Sequence, residues 1–209
     1  MQKAEAFLLL VLLGFWGPLL YAQEEEEPGE GVPIESDWDI YMPELYTKGD
    51  QTFSISLGLI FPTVFFNNGT KIDHNFSPPV GGTGSLAYTY FFGSHFNVGG
   101  EIGGMFNYTL EKSTVFIIPI GMRVGYQFIL KRFEFPLTMT IGFAPQRYLE
   151  LGYFGFFMKW GAAAYFRFSP DWSFGLNSNW CWLPEWTKEP SKNVDGNIVD
   201  LTLSVRYHF

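Results

Sequence analysis

The chain ends LTLSVRYHF (residues 201–209). Every second residue there is apolar: Leu201, Leu203, Val205, Tyr207 and Phe209 alternate with Thr202, Ser204, Arg206 and His208. A strict period of two marks a strand whose two faces meet different surroundings. The chain stops on an aromatic ring within that pattern. Two questions follow: whether the other strands carry the same two faces, and which face points outward.

The same alternation begins at Gln51 and predicts eight strands. Their apolar faces run Phe53–Phe61, Leu86–Phe92, Phe96–Tyr108, Phe116–Leu130, Phe135–Phe143, Phe154–Phe168, Trp172–Trp182 and Val199–Phe209, and no Asp, Glu, Lys or Arg falls on them. The opposite faces are small and polar, with Thr52, Ser54, Ser56 and Gly58 in the first strand and Asp200, Thr202, Ser204 and Arg206 in the last. Side-chain volume then decides the direction. The interior of an eight-stranded barrel is just wide enough for side chains to fill. The Phe, Trp, Leu and Ile face does not fit inside it, and the small face does. A soluble barrel would need many charges on its outer face, whereas this chain holds 16% charged residues and 20% aromatics. The large face therefore looks into hydrocarbon. A closed sheet leaves no backbone donor bare there, and strands of about nine to twelve residues match the ~9–11 needed to cross a bilayer. The expected fold is an all-β, eight-stranded, antiparallel, closed transmembrane β-barrel over residues 51–209.

The flanking segments agree. Residues 1–22, MQKAEAFLLLVLLGFWGPLLYA, carry Lys3, an apolar run broken by Gly14, Gly17 and Pro18, and a closing Ala22. They read as a cleaved signal peptide, with a single membrane anchor as the alternative. Residues 23–50 are acidic, hold Glu24 to Glu27, and read as a mostly disordered periplasmic tail. The net charge of −8 and the lack of any Lys/Arg run exclude nucleic acid as an expected partner. The single Cys181 makes neither an intrachain disulfide nor a metal site by itself. Connections alternate long (62–80, 145–153, 183–197) with tight (93–95, 131–132, 169–171), apart from an intermediate one at 109–115. The tight ones belong on the periplasmic side, and so do both chain ends. Aromatic girdles are expected from Phe96, Phe168, Trp172 and Tyr207 below and from Phe61, Tyr108, Phe116, Trp180 and Trp182 above.

With these residues in place, the chain resembles the small outer-membrane β-barrels of diderm bacteria. LAYTYFFGSHFNVGGEIGGMFNYTL and IPIGMRVGYQF resemble successive strands of OmpW and of OmpA/OmpX-type barrels. The ending LSVRYHF looks like their C-terminal assembly signal, carried by Leu203, Val205, Tyr207 and Phe209. The resemblance implies a bacterial outer-membrane protein with outer-membrane lipid and the barrel-assembly machinery as partners. It also implies an OmpW-like passage for small solutes, apolar ones included. The alternative is a structural or adhesive barrel with a filled lumen that works through its outer loops.

Within the lumen, Glu101 and Arg123 are expected to pair, on the supposition that Tyr108 faces Phe116 across the third and fourth strands. Lys159 and Arg167 are expected to reach toward them from the far wall. This constellation reads as a gate across a narrow pore or as a plug that staples the interior. Asp73, His74 and Ser77 hold the residue types of a hydrolytic site, but neighbours of this kind are common in loops, and no enzyme, cofactor or metal is expected. The tryptophans around Cys181 read as an interfacial girdle, or alternatively as a ligand-stacking patch. Asn-Gly-Thr at Asn68, Asn-Tyr-Thr at Asn107 and Gly-Gly-Thr-Gly at 81–84 read as chance matches to modification and phosphate motifs. Oligomeric state is not legible.

Overall fold

The computed structural model describes residues 45–72, 76, 78–108, 113–148, 151–186 and 193–209. The expected signal peptide at 1–22 and most of the acidic segment at 23–50 lie outside the described residues.

Ten strands follow in order: β1 (Gln51–Asn67), β2 (Thr70–Ile72), β3 (Gly81–Phe91), β4 (Phe96–Tyr108), β5 (Thr114–Ile117), β6 (Ile120–Leu130), β7 (Phe133–Tyr148), β8 (Leu151–Arg167), β9 (Trp172–Glu185) and β10 (Val194–His208). Every pairing is antiparallel. β10 returns to β1, from Thr52↔His208 to Asn67↔Val194, so the ladder runs round a ring. β5 and β6 share one position in that ring, since both pair with β4 and β7 in a common register. Pro119, which has no N–H to donate, interrupts them. The seam is held by Gly103 N donating to Pro119 O at 2.8 Å and Ile118 N donating to Pro145 O at 2.9 Å. β2 is a short flap on β1. The ten strands therefore fill the eight expected places.

Three local readings need correction. The β4 register places Phe106 opposite Phe116 and Tyr108 opposite Thr114, so Glu101 faces Gly121 and Arg123 faces Gly99. The supposed pairing was off by two residues. A two-residue slip keeps every side chain on its own face, so alternation cannot detect it. Second, β7 and β8 continue through most of the expected long loop at 145–153. Pro145 pairs with Phe154 there, and its carbonyl accepts from Ile118, so a proline ends neither strand. Third, β1 runs on past Pro62 with a bulge between Pro62 and Val64. It then turns tightly at Asn68 (φ 47°) and Gly69 (φ 79°), flanked by the pair Asn67↔Thr70. Two central residues with positive φ in a two-residue loop form the hairpin turn that Asn-Gly favours.

The two faces are sorted as expected. Leu57, Met122 and Leu203 are 67%, 76% and 71% exposed on the outside. Thr52, Ser54, Ser56, Asn177, Thr202 and Ser204 are buried within. The core of this fold is thus the interior of the ring. One end carries the short connections at 92–95, 131–132 and 168–171, together with Gln51 and Phe209, whose backbones exchange bonds of 2.9 and 3.1 Å. The other end carries the longer connections at 73–80, 109–113 and 186–193, together with the two-residue links at 68–69 and 149–150.

Candidate functional site: the interior of the ring

Three layers fill the interior. Toward the loop end lies an apolar cluster of Ile60, Met105, Ile117, Ala144, Phe157, Cys181, Leu183 and Ile198, with Val115 packed against it. Cys181 belongs here because alternation along β9 turns it inward while Trp180 and Trp182 turn outward. Trp180 stacks on Trp160 at 5.0 Å on the outer face, which fits the girdle-type reading better than a ligand-stacking patch inside. Beside this layer, Ile60, Phe76, Met105, Asn107, Ile117 and Ile198 are among the residues that line an apolar hollow.

The middle layer is ionic. Glu101 on β4 is buried and is bridged by Lys159 from β8, three ring positions away. Arg123 Nη1 on β6 lies 3.5 Å from Glu101 Oε2, and Thr140 Oγ1 on β7 donates to the same oxygen at 3.2 Å. The expected pair of Glu101 and Arg123 therefore forms, despite the shifted register, because arginine is long enough to span two residues along the wall. Asp200 on β10 completes the layer and accepts from Asn179 Nδ2. A small cavity of about 20 Å³, room for about one water, adjoins these groups and is lined also by Ser85, Asn177 and Thr202.

Arg167 does not join that layer. Its guanidinium lies 3.7 Å from Glu134, at the short-turn end. The reason is position: Arg167 is the last residue of β8, eight residues below Lys159. Glu134 is 1% exposed and gathers the densest set of partners in the described chain. Arg206 Nη1 lies 3.1 Å away, Gln127 Nε2 donates at 2.5 Å, and the Tyr46 hydroxyl sits 3.0 Å from both carboxylate oxygens. The Tyr46 hydroxyl also meets His208 Nδ1 at 3.1 Å, and Ser173 Oγ meets His208 Nε2 at 2.6 Å. One tautomer satisfies both ring nitrogens and the phenol: Ser173 donates to Nε2, Nδ1–H donates to the phenol oxygen, and the phenol donates to Glu134. Burial, followed by the Glu134 charge, pushes the Tyr46 phenol above its ordinary range.

A polar chain leads up from this end to the middle. The Arg206 guanidinium lies 3.7 Å over the Tyr165 ring, and Tyr165 donates to Asn177 Oδ1 at 2.8 Å. Asn177 Nδ2 donates to Thr202 Oγ1 at 3.0 Å and Ser204 Oγ at 2.6 Å, and Ser204 Oγ is hydrogen-bonded to Ser56 Oγ. Buried polar groups that satisfy one another in this way rigidify a core, whereas a half-satisfied network costs stability. Glu134 and Tyr46 were not singled out in the sequence. Glu134 shares the parity of Thr138 and Thr140 and could have been found by extending that strand back toward the Lys131–Arg132 turn. Tyr46 precedes the alternating region and carries no such signal.

Among the described residues, no group of three His, Cys, Asp or Glu is placed to hold a metal ion. Asp73, His74 and Ser77 lie outside the described residues. His95 packs against the Tyr126 ring at 5.5 Å in a short turn.

Known proteins place this geometry in context. The chain is 28% identical over 203 residues to an uncharacterized protein of Treponema pallidum (strain Nichols), covering 92% of each chain. It is 28% identical over 98 residues to a second uncharacterized protein of that organism, covering 44% of this chain and 34% of the relative. Its fold is similar to that of Neisserial surface protein A (NspA), with a TM-score of 0.58, 10% identity, and coverage of 78% of this chain and 98% of that one. The architecture is therefore that of the small outer-membrane β-barrels of OmpA/OmpX type. One family model matches residues 30–207, which take in the ring almost to its last residue, and the chain belongs to that family.

Proposed function

We propose that this protein crosses a bacterial outer membrane as an eight-position closed barrel with a filled lumen, and that its loop end is the working surface. The observation that carries the filled lumen is the stack of three buried layers, with Glu134 and its partners closing the short-turn end. The observation that supports insertion is the continuous outer band of Leu, Ile, Phe and Trp. A soluble monomer rarely exposes a contiguous apolar patch of more than a few hundred Å². Outer-membrane lipid and the barrel-assembly machinery are the partners this reading requires, with Leu203, Val205, Tyr207 and Phe209 as the assembly signal. The wall offers donors, acceptors and charges held in mutual pairs, and the reading includes no enzymatic step.

A second reading, passage of small solutes, is favoured by one feature: the cavity beside Glu101, Arg123 and Lys159 in mid-lumen. Planar-bilayer recording of the refolded chain separates the two. The filled lumen predicts no discrete conductance steps in the parent or in a Glu101→Gln/Arg123→Ala variant. Weak steps in the parent that grow in the variant would establish Glu101, Arg123 and Lys159 as a gate and replace the first reading.

A further inference from the structure

The chain does not enter the ring directly at β1. Thr47 N and Thr47 Oγ1 donate to the Asp50 carboxylate at 2.8 and 3.1 Å, and Asp50 N donates back to Thr47 O at 3.3 Å. Gly49 follows with φ 112°, a conformation that a residue with a Cβ rarely adopts. This turn folds residues 45–50 back under the short-turn end. Gly49 N and Phe91 N then tie it to β3, through bonds of 3.0 Å to Phe91 O and 2.9 Å to Asp50 O. Leu45 and Thr47 are exposed, while Tyr46 between them is 4% exposed. The ring of Tyr46 stacks on Phe91 at 3.8 Å and 3°. The Arg167 guanidinium lies over the same ring, 5.3 Å from its centroid. Its hydroxyl reaches Glu134 and His208 as described above.

An aromatic platform, a cation over the ring, a carboxylate accepting from the hydroxyl and a ring nitrogen donating to it form a binding site for a phenol. All four are wall or rim residues from β3, β7, β8 and β10. The occupant comes from outside the ring, on a strap held by one turn and two backbone bonds. We propose that the short-turn mouth is a receptor for a phenol side chain, filled in cis by Tyr46, and that residues 45–50 are a strap that seals the lumen at this end. The inference concerns only this mouth, so it stands or falls separately from membrane insertion and from conductance.

The test reads access to the mouth in detergent. Ser54 is buried on β1 two residues inward of Thr52, which pairs with His208, and the native Cys181 is hidden in the apolar layer, so a cysteine placed at 54 reports access through the mouth without touching the receptor. Ser54→Cys is introduced into the parent and into Tyr46→Ala, and the rate of modification by a small charged methanethiosulfonate is measured. Folding of each variant is verified first by the heat-sensitive gel shift of a closed barrel. Loss of Tyr46 should speed labelling at least tenfold. Added p-cresol should return the Tyr46→Ala rate toward that of the parent and leave the parent unchanged. Toluene, which lacks the hydroxyl, should protect less. Equal labelling with and without Tyr46 would overturn the strap, and failure of p-cresol to slow labelling would overturn the phenol receptor. If Tyr46→Ala does not fold, Tyr46→Phe carries the test, because it keeps the stack on Phe91 and loses the hydroxyl bonds. It should label faster than the parent, and an unchanged rate would count against the proposal.

Discussion

At the scale of single residues, two carboxylates hold the interior, each by cancelling cations that the wall would otherwise leave uncompensated. Glu101 is shared by Lys159 and Arg123, and Glu134 by Arg206 and Arg167. Removing one partner of a buried pair costs ~3–5 kcal/mol, because the remaining charge stays buried. Glu134→Gln is therefore expected to destabilise the ring by about that amount, read as a fall in the urea midpoint in lipid vesicles. Thr140→Ala removes one neutral donor from the Glu101 carboxylate and is expected to cost about 1.5–3 kcal/mol, less than the loss of Glu134. If the two variants proved equally mild, water would be reaching the short-turn layer. Glu101, Arg123, Lys159 and Arg167 were legible as inward charges from alternation alone. The split of Arg167 away from the other three was not, because depth along a tilted wall depends on register rather than on parity.

At the scale of elements, the last strand closes the ring and seats Phe209 at the seam. β10 pairs with β9 on one side and with β1 on the other, and the backbone of Phe209 exchanges both bonds with Gln51. The Phe209 ring lies among Tyr88 and Tyr207. Deleting Phe209 should lower the yield of correctly assembled barrel in cells. Wild-type yield from that variant would argue against LSVRYHF as an assembly signal. Val124 tests the assignment of faces. It lies mid-way along β6, 43% exposed on the outer surface. Val124→Arg should cost ~2–4 kcal/mol of stability in a bilayer, as for a basic residue at the midplane of a barrel's lipid face. Unchanged vesicle stability would mean that this face does not meet hydrocarbon. The strand ends were the least legible feature. Pro62 and Pro145 suggested termination, yet a proline needs only a position whose N–H the ladder does not require, and pairing from the neighbouring strand supplied one. The Asn68–Gly69 turn was visible in the sequence and was read instead as a chance modification motif.

At the scale of the whole molecule, the fold is inverted relative to a soluble barrel, with polar groups making the core and rings making the surface. Tryptophan fluorescence reads this directly. Trp160 and Trp180 stack on the outer face, so lipids brominated along the acyl chain should quench the refolded protein strongly and aqueous iodide weakly. The reverse order would remove the membrane reading. The sequence by itself determined the strand places, their two faces, the outward direction of the large face and the end at which the short turns gather. Those properties follow from a period of two and from how much volume a small ring can hold, both of which are local or additive. The tertiary structure alone decided which charges meet, that Glu134 rather than Glu101 has the most partners, and that Tyr46 fills the mouth. Contacts across a lumen join residues up to 162 positions apart, as between Tyr46 and His208. They depend on the stagger accumulated around the ring, and a pattern that repeats every two residues carries no record of that stagger.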